Sequence, residues 1–220
     1  MNFNFKKLTI YLLSSICAIN FLPCASAMYS GSSKVFSSTP ALHVGTQTIE
    51  TDRLILRRFK IGDAPYVFKN WASDPDNVAT LTWNAHPSVS LTESLIASWI
   101  NDYSDNTDYR WCITLKGTDI PVGGIDVTNI INDSTCEIGF VLSKSLWNRG
   151  IMTEAARAVI DYLFTKTSFT TVTAYHNIDN PASGKVLLKS GMHKTVVVSK
   201  GAKKNTGELV DKVVYKISKS

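Results

Sequence analysis

Residues 137–161 read EIGFVLSKSLWNRGIMTEAARAVID, and the fold follows from how that stretch is parsed. Its first part alternates, with Ile138, Phe140 and Leu142 set between Glu137, Gly139, Val141 and Ser143. A period of two with β-branched and aromatic content predicts a strand. From residue 153 to about 164 the period changes. Ile151, Ala155, Val159 and Leu163 recur at four-residue steps beside Met152, Ala156 and Ile160, while Glu154, Arg157 and Asp161 share the other side. That pattern is an amphipathic helix with one face to bury. Between strand and helix lies Trp147-Asn148-Arg149-Gly150-Ile151-Met152. A strand, a short glycine-bearing loop and a helix start can form an anion site. The first N–H groups of the helix have no partner, and the helix dipole adds partial positive charge. Glycine in such a loop also serves turn geometry alone. Arg149 beside it adds a full cation.

A second helix is expected in NPASGKVLLKSGM, residues 180–192. Asn180 is a good N-cap, Pro181 fits the first helical position, and Gly191 is placed for the C-terminal stop. The β-rich run FTTVTAY, residues 169–175, precedes it.

WNRGIMTEA, followed some 25 residues later by HNIDNPASGKVLLKSGM, resembles the GNAT superfamily of acyl-CoA-dependent N-acetyltransferases. The match is nearest to its RimJ/RimL-like branch, whose opening segment is similar to ETDRLILRRFKIGDAPYVFKNWASDP at residues 50–75. The resemblance covers about residues 49–218. It implies an α/β fold of mixed α+β type with a central sheet of about six to seven strands, splayed at the fourth strand and flanked by helices. It also implies acetyl-CoA as co-substrate, no metal, and an amine acceptor, either a protein N-terminus or a small molecule.

The residues around this segment agree with a mixed sheet. Residues 53–57 alternate as a strand, and Asp63 is expected to cap a helix to about Trp71 with Pro65 in its first turn. Ser90 and Glu93 have capping-box spacing for a further helix bearing Leu95, Ile96, Trp99, Ile100 and Tyr103. Three strands are expected at 111–115, 122–128 and 136–142, joined by short loops that favour antiparallel neighbours. A last strand is expected at 211–217. Since strands and helices do not alternate strictly, the sheet should be mixed.

At the N-terminus, Lys6 and Lys7 precede an apolar run at 8–22, and Ala25-Ser26-Ala27 suits a signal peptidase. Residues 1–27 therefore read as a leader cleaved after Ala27, or as sequence upstream of a true start at Met28. The first implies export, and with it a catalytically silent GNAT-fold binding protein becomes a reading. The second implies a cytoplasmic enzyme. Residues 28–48 are rich in Ser, Thr and Gly and read as a flexible linker, leaving 49–218 as the acetyltransferase domain. Net charge is +5 over 220 residues, and no basic cluster interleaves with aromatics, so nucleic-acid binding is not argued. Cys112 and Cys136 read as two buried thiols in different strands.

Acetyl transfer to an amine needs a base for the amine proton, donors for the carbonyl oxygen, and a proton or donor for the leaving thiolate. The resemblance sets the pyrophosphate on the N–H groups of Arg149, Gly150, Ile151, Met152 and Thr153. It sets the pantetheine amides on Val141 and Ser143, in the manner of an added strand. Asn180 is similar to the family's cofactor-contacting Asn and is also a plain N-cap. Ser183 matches a Ser near the thioester sulfur. The position of a common Tyr acid holds Leu187, so Ser183 takes that role by default. Trp147 and Met152 depart from the usual signature, which has Gln or Arg at the first place and a small residue at the second. Glu137 is the first carboxylate considered as base, with Asp126 the alternative. An α-amine (pKa about 8) needs less help than a lysine (about 10.4). Trp83, His86 and Trp111 are either core or acceptor-pocket walls.

Overall fold

The computed structural model describes residues 41–220. The leader at 1–27 and most of the expected linker, residues 28–40, lie outside the described residues.

The chain runs β1 (Ile49–Glu50), β2 (Leu54–Arg57), a 3-10 turn (Ile61–Asp63), α1 (Ala64–Val67), a π turn (Phe68–Ala72), α2 (Pro75–Val78) and α3 (Val89–Asp102). There follow β3 (Arg110–Leu115), β4 (Pro121–Asn132), β5 (Thr135–Leu142), α4 (Ile151–Lys166), β6 (Thr171–Asn177), α5 (Pro181–Lys189), β7 (His193–Lys203) and β8 (Leu209–Ser218). The strands form one eight-stranded sheet in the order β1-β2-β3-β4-β5-β6-β8-β7. All neighbours are antiparallel except β5 and β6. The mixed sheet is as expected, with two strands more than the sequence reading located. β1 is only two residues long, and β7 is an edge strand exposed along most of its length, so it lacks the alternation that marks a half-buried strand.

Two cores sandwich the sheet. On one face Ala155, Ala156, Val159 and Leu163 of α4 and Leu187 of α5 pack on Leu54, Leu56, Trp111, Ile113 and Ile138. On the other, Ala64, Val67, Trp71 and Ile96 pack on Phe59 and Cys112. Cys112 and Cys136 are buried free thiols on β3 and β5, with β4 between them. Among the described residues no helix is long and apolar enough to cross a membrane.

Several local expectations are corrected. Asp63 does not cap the first helix. Its carboxylate accepts two hydrogen bonds from the Arg57 guanidinium, at 2.7 and 2.9 Å, and a third from the Lys60 N–H at 2.8 Å. The helical path then widens at the π turn, where the Ser73 N–H donates to Phe68 O five residues back at 3.0 Å. α3 opens two residues early: Ser88, extended and preceded by Pro87, caps it by accepting from the Leu91 N–H at 3.3 Å, so Ser90 is already inside the helix. Residues 41–48 are not a loose arm. The Gly45 N–H donates to Asn106 O at 2.8 Å, Trp111 Nε1 donates to Gln47 O at 2.7 Å, and the Tyr162 hydroxyl donates to Gly45 O at 2.7 Å.

Candidate active site

The site begins where the sheet stops being a sheet. β5 and β6 pair only at Thr135↔Thr171, Cys136↔Val172 and Glu137↔Thr173. Beyond that the strands diverge, and a cavity of about 570 Å³ fills the gap. β5 contributes Glu137, Gly139 and Val141, β6 contributes Tyr175 and His176, and the start of α5 contributes Asn180 and Ser183. The opposite face supplies aromatic walls: Trp71 from the π turn, Trp99 from α3, and Phe59 and Trp83 from the loops after β2 and before α3.

Main-chain direction on β5 corrects one expectation. The Ser143 N–H donates to Val122 O at 2.9 Å, and Thr128 Oγ1 donates to Glu137 O at 3.2 Å. Bonding alternates along an antiparallel ladder, so Val141 is also turned toward β4. The groups that face the gap past the last β6 pair are those of Phe140 and Leu142. The Leu142 carbonyl already accepts from Trp147 Nε1 at 2.9 Å. Trp147 thus folds the loop back onto the strand end. The Ser143 side chain is buried against Ser145, the two hydroxyls 3.0 Å apart.

The loop before α4 is shaped by two left-handed residues, Asn148 (φ 61°) and Gly150 (φ 74°). The first intrahelical bond is Glu154 N–H to Gly150 O at 3.0 Å. The N–H groups of Ile151, Met152 and Thr153 therefore precede the helical ladder, and no side chain of Gly150 caps them. Arg53 braces the turn from outside, donating from Nη1 to Arg149 O at 3.0 Å and pairing with Glu154 at 2.6 Å. Arg149 itself is exposed. Gly150 and Thr153 line a shallow depression with Arg53, Arg157 and Lys189, apart from the main cavity.

Asn180 is the N-cap of α5, accepting from the Ser183 N–H at 3.2 Å, and its Nδ2 donates to Thr80 Oγ1 at 2.9 Å. Both polar ends of the side chain are thus tied within the chain. Leu187 is wholly buried in the α4 core.

Two carboxylates face the cavity. Desolvation by the cavity walls pushes the Asp126 carboxyl up to about 6, with Arg110 opposing and Asp108 reinforcing, although its side chain is 35% exposed through the cavity mouth. Burial also raises Glu137, against the pull of Lys212 and a 3.3 Å hydrogen bond from the Thr128 hydroxyl. Trp83 and His86 line the cavity as walls. Trp111 does not: it lies wholly buried on the α4 face.

Sequence reasoning passed over His176. The Asn177 carbonyl, 2.7 Å from Nδ1, can only accept, so Nδ1 carries the proton and Nε2 accepts from the Tyr215 hydroxyl at 3.3 Å. A Cβ on Gly184 would stand 2.5 Å from that Nε2. A glycine inside a helix pattern was the available signal of this close approach.

Residues 53–193 match the family described as Acetyltransferase (GNAT) domain. Among relatives, the uncharacterised N-acetyltransferase p20 of Bacillus licheniformis is 29% identical over 175 residues, covering 79% of this chain and 97% of that protein. Microcin C7 self-immunity acetyltransferase MccE, solved in complex with acetyl-CoA and AMP, has a TM-score of 0.69 at 20% identity, covering 76% of this chain and 93% of that one. RimL, a ribosomal L7/L12 α-N-protein acetyltransferase solved with coenzyme A, has a TM-score of 0.69 at 17% identity, covering 79% and 98%. The last two likenesses speak for the fold, while the matched segment runs from just before β2 to the start of β7. The chain belongs to the GNAT-domain acetyltransferases.

Proposed function

We propose that this chain is a RimJ/RimL-like N-acetyltransferase that moves an acetyl group from acetyl-CoA to a primary amine by direct attack. The observation that carries the reading is the unpaired end of β5, open beside a cavity that holds two carboxylates. The residues present suit the co-substrate. Phe140 and Leu142 offer outward main-chain groups to an amide-bearing arm. The N–H groups of Ile151, Met152 and Thr153, with Gly150 and the exposed Arg149, suit a pyrophosphate. When bound, acetyl-CoA supplies an activated acetyl group on a thioester and departs as the thiol.

The rest falls to side chains of this chain. Sequence alone puts Glu137 first as base. We favour Asp126, whose carboxyl is pushed up to about 6 and meets Arg110 only at 4.0 Å; the Thr128 hydroxyl, shared between the Glu137 carbonyl and carboxylate, holds Glu137 only weakly. The amine, protonated in solution, first loses one proton to solvent and so frees its lone pair; Asp126 takes a second as the new C–N bond forms and the C–S bond breaks. Ser183, at the first turn of α5, is the donor on the sulfur side, and the leaving thiolate is protonated there or from solvent. Asn180 holds that turn in place and ties it to Thr80.

A pH profile tests the assignment. With Asp126 ionising at about 6, kcat/KM should fall roughly tenfold per pH step below that value and level off above it. Asp126→Asn should lose on the order of 100-fold in kcat and also lose this acid limb. An unchanged limb in the variant would remove Asp126 from the role. The same residue makes a stability statement of opposite sense. A raised carboxyl binds more protons folded than unfolded, so stability falls as pH rises from the ordinary carboxylate range through about 6. Asp126→Asn should therefore melt higher than the native chain at pH 8 and gain less at pH 4.

A further inference from the structure

Asp126 pairs across the β4–β5 ladder with Gly139, and Glu137 stands two residues back on the same face of β5. A side chain at 139 would meet Thr128 Cγ2 at 2.7 Å and reach 3.7 Å from Asp126 Oδ1. Its absence leaves a floor framed by Asp126, Glu137 and the Thr128 hydroxyl. Above it stand aromatic rings, with Phe59 and Trp99 centroids 5.0 Å apart and Trp83 beside His86 at 5.2 Å. Arg110 is the one cationic side chain lining the cavity among the described residues. It lies over the Trp99 ring at 5.0 Å and already faces Asp102, Asp108 and Asp126 at 3.9, 3.6 and 4.0 Å. Lys212, off the lining and over the Tyr175 ring at 4.8 Å, offsets part of Glu137. The balance at the floor stays negative.

We infer that the acceptor is a cationic amine whose neighbouring substituent is flat or apolar and carries no carboxylate, seated on Asp126 and Glu137 over Gly139. The inference rests on the acetyl-transfer reading. A carboxylate on the carbon that bears the amine would lie against two fixed carboxylates, and such like-charge juxtaposition is costly in a partly desolvated site. Arg110 meets its three aspartates only at 3.6 to 4.0 Å, and its Nη1, though without a hydrogen-bond partner, is buried out of reach of an entering carboxylate, while the three carboxylates around it outweigh its single charge.

The test uses tryptamine, tryptophan amide and tryptophan as acceptors at saturating acetyl-CoA, with binding of acetyl-CoA followed separately by thermal unfolding. Tryptamine and the amide should exceed tryptophan in kcat/KM by on the order of 100-fold. Glu137→Gln should shrink that ratio at least tenfold, and intrinsic amine basicity cancels when ratios are compared between native and variant protein. Gly139→Ala should raise KM for both amines and leave the acetyl-CoA-induced rise in unfolding midpoint unchanged. Equal use of tryptophan, a ratio untouched by Glu137→Gln, or acetyl-CoA binding with no turnover of either amine would each overturn the acceptor class while leaving the cofactor reading standing. A folded chain that does not bind acetyl-CoA overturns both.

Discussion

Gly150→Glu should abolish the rise in unfolding midpoint that acetyl-CoA gives the native chain. At about 100 times its dissociation constant a ligand adds roughly 2.7 kcal/mol, which for a domain of this size is a rise of roughly 5–10 °C. Gly150 sits at φ 74° as the residue before the first turn of α4, next to the N–H groups assigned to the pyrophosphate. The glutamate places a like charge where an anion is to bind, and a bulky side chain in a left-handed backbone conformation. The strain alone costs about 1–3 kcal/mol, so the unliganded variant should also melt lower. Gly150→Asn separates the two effects, since Asn tolerates the left-handed region and brings no charge. It should keep most of the ligand-induced rise. A full rise in Gly150→Glu would detach this turn from the cofactor.

The second large effect is one of stability. Asp63→Ala should cost about 3–5 kcal/mol, the range for breaking a buried ion pair by removing one partner. Arg57 and Asp63 are both nearly enclosed, with side chains 9% and 6% exposed. The guanidinium makes a two-pronged pairing with Asp63, while Nε donates to Asp119 at 2.6 Å. Asp119 is 65% exposed and cannot by itself replace the lost partner. The midpoint should fall by roughly 10 °C or more. The paired replacement Arg57→Met with Asp63→Leu removes both charges together and should recover most of the loss. If Asp63→Ala melts within about 1 kcal/mol of native, water reaches this pair more freely than its enclosure suggests.

What the sequence made legible was local chemistry in one segment at a time. The change of period at 137–161, the glycine before α4, and the Asn–Pro start of α5 all survive in the structure because caps and amphipathic faces are properties of a single segment. The two carboxylates named as bases do reach one cavity. Alternation in residues 137–143 set Glu137 apart from Ile138, Phe140 and Leu142, while Asp126 was named only as the alternative carboxylate. What failed depends on partners distant in the chain. Whether Val141 or Leu142 turns its N–H outward is decided by the register of β5 on β4, and that register shifts near Val127. No pattern within β5 reports it. Trp111 was eligible for either face by its residue type alone. The aromatic walls come from a π turn, from α3 and from two loops, which meet the sheet only after folding. β7 could have been found in the β-branched run Thr195-Val196-Val197-Val198, yet an exposed edge strand gives no periodicity to read.

The splay between β5 and β6 leaves a mark that isotope exchange would read residue by residue. Phe140 and Leu142 lie in the middle of an eight-stranded sheet, where backbone amides are ordinarily among the slowest to trade protons with solvent. Here they face a gap, whereas Val141 and Ser143 between and after them are bonded to β4. One strand should thus show fast and slow deuteration at alternate positions. Saturating acetyl-CoA should slow only the fast set. Uniform protection along β5 in the free protein would mean that the gap closes when it is empty, and that opening it is part of binding.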